Sequence, residues 1–208
     1  MHVVYYLAMS TTPPNLAENS TKKESTASIV SLIITGIVML SAVFLLRAYI
    51  VKPFIVSGVS MYPTFNSWNY LIIDEATYNF NREPLRGEVL VFHYPGDTSR
   101  FFIKRAIGLP GETVTLKDYS VTITTNDGSG STFTLNEPYI IDSKRKTADL
   151  KMVLGDDEYF MLGDNRQESA DSRYWGALKR EYIVGRPILR LFPLNQIDWM
   201  PGATDYNN

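Results

Sequence analysis

The chain has 208 residues, a formal net charge of −2, a pI of about 5.7, no cysteine and two histidines, His2 and His93. That length allows one good-sized domain plus an anchor. The composition excludes disulfides, thiolate nucleophiles and cysteine-ligated metals. It also argues against nucleic-acid binding, since no basic patch stands out, and one histidine outside the tail cannot build a His-rich metal site. A hydrolytic base would therefore be a carboxylate, a lysine or a tyrosine.

Residues 1–24 are polar and include Pro13-Pro14 and Lys22-Lys23-Glu24, so they read as a disordered tail. Residues 25–46 then run 22 positions without a charge. As a helix this stretch would be about 33 Å long, enough to cross a bilayer core. It exceeds a signal-peptide apolar region and no small-residue cleavage pattern follows it closely, so we expect a transmembrane anchor over 25–50. Lys22 and Lys23 on one side balance Arg47 and Lys52 on the other, so charge alone does not orient it.

From 51 to 208 the pattern is strand-like. Short apolar or β-branched runs at 53–56, 70–73, 88–94, 100–107, 113–116, 119–125, 132–135, 158–162 and 187–192 are separated by Gly, Pro, Asn and Asp. Asn126-Asp127-Gly128-Ser129-Gly130 reads as a hairpin turn. No amphipathic helix of length appears. The expected class is mainly β: one antiparallel domain behind one N-terminal transmembrane helix. The charged stretch 142–151 reads as a surface loop. Its Ser143-Lys144-Arg145-Lys146 fits an S-x-x-K pattern formally but lacks the partner motifs that pattern requires.

Three stretches carry candidate chemistry. The first is Ser57-Gly58-Val59-Ser60-Met61-Tyr62-Pro63-Thr64, where Ser60 is a candidate nucleophile or an ordinary turn serine. The second is Arg100-Phe101-Phe102-Ile103-Lys104-Arg105-Ala106-Ile107. Alternation puts Lys104 on one face with Phe102 and Ala106. Burial there would lower its pKa and leave a neutral amine able to take a proton from a serine. A lysine that tips its ammonium into water fits the strand equally well. The third is Gly163-Asp164-Asn165-Arg166 followed by Ser169-Ala170-Asp171-Ser172-Arg173. It suits a loop braced by arginine–carboxylate hydrogen bonds, either purely structural or holding a hydroxyl that orients the lysine.

In order, these stretches resemble the motifs of bacterial type I signal peptidases: S-M-x-P-T at Ser60–Thr64, K-R-x-x-G-x-P-G at Lys104–Gly111, and G-D-N with S-x-D-S-R at Gly163–Arg173. Arg86-Gly87-Glu88-Val89-Leu90-Val91-Phe92 also resembles a family strand, with Glu88 where the pattern has Asp. The resemblance spans roughly 27–193 and suits a compact single-anchor form, as in cyanobacteria.

It implies Ser60 as nucleophile, Lys104 as general base and Ser169 as the hydroxyl that hydrogen-bonds the lysine amine. Asp171, Arg173, Asp164 and Arg166 would frame the site. Gly58, Met61 and Pro63 would shape the turn against the substrate. Some members place an oxyanion-stabilising serine where this chain has Gly58, so the Ser60 backbone N–H and Ser57 are the candidate donors here.

The implied activity needs no cofactor and no metal. It is removal of signal peptides from exported preproteins after small residues in an A-x-A pattern. The implied setting is a single-pass protein of the plasma membrane, or of the thylakoid in a cyanobacterium. Its catalytic domain would lie on the extracytoplasmic side and act as a monomer, with a hydrophobic surface against the lipid bilayer to which Phe54, Ile55, Phe65 and Trp68 would contribute. Two other readings compete. A soluble self-cleaving repressor-type protease is disfavoured by the anchor and the lack of a basic helix. A silent anchored β scaffold would keep its function without Ser60 or Lys104.

Overall fold

The computed structural model describes residues 28–43, 51–117, 120–126, 128–140, 149–204 and 206. Residues 28–43 form a helix, α1, with exposed side chains. The chain divides into two units, Met1–Leu45 and Leu46–Asn208. Among the described residues no helix is long and apolar enough to cross a membrane. The anchor expected over 25–50 extends into 25–27 and 44–50, which lie outside the described residues, as do the tail 1–24 and the 143–146 stretch.

The second unit is mainly antiparallel β and holds two sheets. The larger contains β1 (Val51–Ile55), β2 (Tyr70–Asp74), β3 (Val89–Tyr94), β4 (Asp97–Gly108), β9 (Glu158–Leu162), β10 (Leu178–Lys179), β11 (Ile183–Phe192) and β12 (Asp198–Trp199). Its spatial order is β1-β2-β11-β3-β4-β9-β10, with β12 added on β11. The smaller contains β5 (Thr113–Lys117), β6 (Ser120–Thr124), β7 (Thr132–Thr134) and β8 (Leu150–Val153), in the order β7-β6-β5-β8.

Burial follows the sequence periods. In β5 and β6, Val114 and Leu116 lie opposite Ile123 and Val121, all buried, while Thr122 and Thr124 face Thr134 and Thr132 on the wet side. β3 instead buries Val89, Leu90, Val91 and Phe92 in succession, because a central strand is covered on both faces. One core cluster around Leu90, Phe92, Ala106 and Met161 and another around Met61, Phe65, Leu71 and Val91 pack on this sheet. A third, around Ile107, Val114 and Ile123, joins the smaller sheet to the end of β4.

Several boundaries differ from the sequence reading. The end of the expected 142–151 loop belongs to β8, where Leu150 and Met152 pair with Leu116 and Val114; its described part is too short to reveal a period. β11 begins four residues before the expected 187, because Gly185 and Arg186 interrupt the apolar run. Phe65 is fully buried rather than surface-exposed, filling the core beneath the Ser60 segment, whereas Ile55 and Trp68 are exposed. Among the described residues of this unit the α-helices are single turns, α2 (Ala76–Asn79) and α3 (Ser172–Trp175).

Candidate active site

The Ser60 segment connects β1 to β2 and is pinned at both ends. Val56 N–H donates to the Asn69 carbonyl, Trp68 N–H donates to the Val56 carbonyl, and Ser67 Oγ bridges the N–H and carbonyl of Gly58. Gly58 has φ of 102°, a conformation that residues with a Cβ rarely adopt, so the turn itself asks for glycine. Beyond it, Met61 and Phe65 anchor the segment in the core, and Pro63 follows a cis peptide. Ser60 is left half-buried between these anchors.

β4 brings Lys104 to Ser60. The lysine is 4% exposed, and its Nζ donates to Ser60 Oγ at 2.8 Å and to the Ile103 carbonyl at 2.9 Å. It also stands 5.1 Å over the Phe102 ring. These contacts exclude the snorkelling alternative. Burial pushes the Lys104 pKa down to about 8, against the opposing pull of the Asp171 and Asp164 carboxylates. A minor fraction of the amine is therefore neutral near physiological pH, far more than for an ordinary lysine. In that state its lone pair can accept the Ser60 hydroxyl proton across the same short distance.

The 163–173 loop clamps this pair. Asn165 N–H donates to the Ser60 carbonyl at 3.0 Å and Asn165 Nδ2 to the Val59 carbonyl at 3.1 Å. Gly163 is wedged between the two serines: a Cβ there would lie 2.2 Å from Ser169 Oγ and 2.5 Å from the Ser60 carbonyl oxygen. Asp171 caps α3, accepts from Gly163 N–H and pairs with Arg173 at 2.7 Å. Arg173 also donates to the carbonyls of Arg166 and Ser169, closing the loop on itself.

The sequence-derived site residues thus converge, with one difference. Ser169 Oγ is buried without a hydrogen-bond partner, so the expected bond to Lys104 is not formed; the lysine donors go to Ser60 and Ile103 instead. The frame residues Asp164 and Arg166 find their partners across the fold. Asp164 holds Arg105 at 2.6 Å, fully buried, and accepts from Thr64 Oγ1, while Arg166 pairs with Glu137. Thr64 and Arg105 sit inside quoted motifs, but nothing in the sequence ties Glu137 to them. Ser57 is exposed.

Ser57, Ser60 and Lys104 line one cleft of about 640 Å³, between β1 with its continuation and β4. Phe54, Ile55 and Phe101 give it an apolar wall, and Glu168 and Arg100 stand at its rim. β4 pairs with β9 only at 105–108, so among the described residues the earlier part of its edge is open beside this cleft. No group of three acidic or histidine side chains able to hold a metal ion occurs among the described residues.

The family model described as signal peptidase, peptidase S26, matches residues 28–192, more than half of the chain. The chain belongs to the signal peptidase family. A probable signal peptidase I-1 from Synechocystis sp. is 33% identical over 183 residues, covering 82% of this chain and 89% of that protein. Signal peptidase I T of Bacillus subtilis is 34% identical over 164 residues, covering 74% and 80%. A solved signal peptidase I from Enterococcus faecalis matches with a TM-score of 0.43 at 30% identity, covering 50% of this chain and 97% of that one. The family assignment rests on the sequence matches. It makes this enzyme a type I signal peptidase, a serine peptidase, similar to cyanobacterial and Bacillus members alike.

Proposed function

We propose that this chain is a membrane-bound serine endopeptidase that removes N-terminal signal peptides from exported preproteins by a Ser60–Lys104 dyad. The observation that carries the reading is the 2.8 Å contact between a buried Lys104 amine and Ser60 Oγ inside an open cleft.

Neutral Lys104 takes the hydroxyl proton as Ser60 Oγ attacks the scissile carbonyl carbon. The tetrahedral oxyanion is stabilised by the Ser60 backbone N–H, with Ser57 as the second donor. Lys104 then returns its proton to the leaving amine nitrogen, and the C–N bond breaks to give an ester on Ser60. Water, deprotonated by Lys104, attacks that ester and frees the serine. Asp164, Arg166, Asp171 and Arg173 hold the frame.

The substrate lies extended along the open edge of β4, as a strand added to the sheet. Residues one and three before the cut then point the same way, into the apolar wall between β1 and β4. Narrow pockets there favour alanine at both, the A-x-A pattern. The 25–50 segment anchors the enzyme once in the plasma membrane, or the thylakoid of a cyanobacterium. The catalytic domain, 51–208, faces the side where signal-peptide cleavage sites emerge and works as a monomer on the lipid surface.

Ser60→Ala and Lys104→Ala should each stay folded and lose cleavage of an A-x-A preprotein on the order of 10⁴-fold or more, the scale seen when a serine-protease nucleophile or base is removed. Wild-type product formation by either folded variant contradicts the dyad.

A further inference from the structure

The chain past residue 192 lies beyond the stretch matched by the family model, yet it reaches the back of the nucleophile segment. After β12, Met200 N–H donates to the Ile188 carbonyl at 2.9 Å, and Ala203 N–H closes a turn on the Met200 carbonyl at 3.1 Å. Gly202, with φ of 76°, sits directly behind Thr64: a Cβ there would lie 2.8 Å from Thr64 Cγ2 and 3.1 Å from the Phe65 ring.

The same turn supplies acceptors to Arg105. Arg105 Nη1 donates to the Gly202 carbonyl at 2.6 Å, to Thr204 Oγ1 at 3.0 Å and to the Gly87 carbonyl at 2.7 Å. Its Nε and Nη2 hold Asp164, which also accepts from Thr64 Oγ1. Tyr206 finishes the segment: its hydroxyl meets that of Tyr139 at 2.6 Å, and the Tyr139 ring stacks 4.0 Å under the Arg105 guanidinium. A guanidinium has five donors in a fixed fork, so the acceptors at one end set where the other end points. The contacts run from Gly202, Thr204 and Tyr206 to Arg105, to Asp164, to Thr64, four residues from Ser60.

We infer that residues 200–204 with Tyr206 are a strap that positions the nucleophile, fixing Thr64 by direct packing and Asp164 through Arg105 so that Ser60 stays within reach of Lys104. The inference rests on the dyad reading above. Loss of the strap lets Arg105 relax away from Asp164, whose carboxylate then bears more strongly on Lys104. The charged groups about that lysine are Asp164, Asp171 and Glu168 from the 163–173 loop and Arg100 and Arg105 from its own strand. Stronger carboxylate influence moves the acidic limb of the pH–rate profile to higher pH.

The test uses the detergent-solubilised full chain beside a chain ending at Trp199, Thr204→Val, Thr204→Ser and Lys104→Ala. For each, kcat, KM, the pH limb for an A-x-A preprotein and the melting temperature are measured. The truncated chain should lose kcat by about tenfold or more with KM within about twofold, and its limb should move up. Thr204→Val should shift both in the same direction and Thr204→Ser should restore them. A folded truncated chain with wild-type kcat and limb overturns the strap. If that chain melts below the assay temperature, wild-type kcat and limb in Thr204→Val overturn it instead. Activity in Lys104→Ala would overturn the dyad, a failure that reads separately.

Discussion

Gly163 shows how little room Ser60 has. Its missing side chain leaves space for Ser169 Oγ on one side and the Ser60 carbonyl on the other, at 2.2 and 2.5 Å from where a Cβ would be. Gly163→Ala must push one of these neighbours aside. Since misplacing a reacting group by about 1 Å can cost on the order of a hundredfold in rate, kcat should fall about that much in a protein that still folds. Steady-state kinetics with a melting curve check this, and an unchanged kcat would mean the loop is not a clamp on Ser60. At this scale much was legible: Ser60, Lys104, Asp171 and Arg173 lie in short motifs that resemble a known family's, and the structure brings Ser60 to Lys104 and Asp171 to Arg173. The partners of Asp164 and Arg166 were not. Arg105 and Glu137 are reached across the fold, and no local spacing reports which arginine meets which carboxylate. Nor did the sequence indicate that Ser169 Oγ would lie unpaired while Lys104 turned its donors to Ser60 and Ile103.

β4 is the element on which the site depends, because both its faces are buried at the same place. Lys104 looks to the cleft, while Arg105 is sealed against Asp164 on the far side, each of that pair being 1% exposed. Removing one partner of a fully buried ion pair leaves the other charge stranded, which costs about 3–5 kcal/mol. Asp164→Ala should therefore lower unfolding stability by about that amount and weaken activity through Thr64, measurable by denaturant unfolding alongside cleavage. A loss below about 1 kcal/mol, the range of exposed pairs, would mean that water reaches Arg105. The long strands were readable from alternation or from continuous apolar runs. β10 and β12, at two residues each, carry no period, and β8 owes its existence to pairing with β5. Those elements are set by the sheet they join rather than by their own sequence.

At the scale of the whole molecule, holding a lysine in the interior opposes stability. The folded pKa of Lys104 is about 8, against an ordinary value near 10.5. Below pH 8 the lysine is protonated folded or unfolded, and its burial is a full penalty of about 3 kcal/mol. Between pH 8 and 10.5 the folded state releases its proton before the unfolded state does, so stability rises with pH and the penalty disappears. Lys104→Met should thus be inactive yet raise the melting temperature at pH 7, with the gain fading towards pH 10.5. Thermal melts across that range check it, and a destabilised variant at pH 7 would mean that Lys104 is not desolvated. What the sequence alone could not convey is the curl that brings β1 and the open edge of β4 to one cleft, since the two are not neighbours in the sheet order.

The pH dependence of kcat/KM for cleavage of an A-x-A preprotein by the detergent-solubilised wild-type enzyme tests the central claim most directly. If a buried Lys104 is the general base, the rate rises about tenfold per pH unit through the acidic range and levels off near pH 8, the pKa that burial gives the lysine. A profile flat from pH 6 to 10, or one that turns over only near 10.5 where an ordinary lysine titrates, would contradict it.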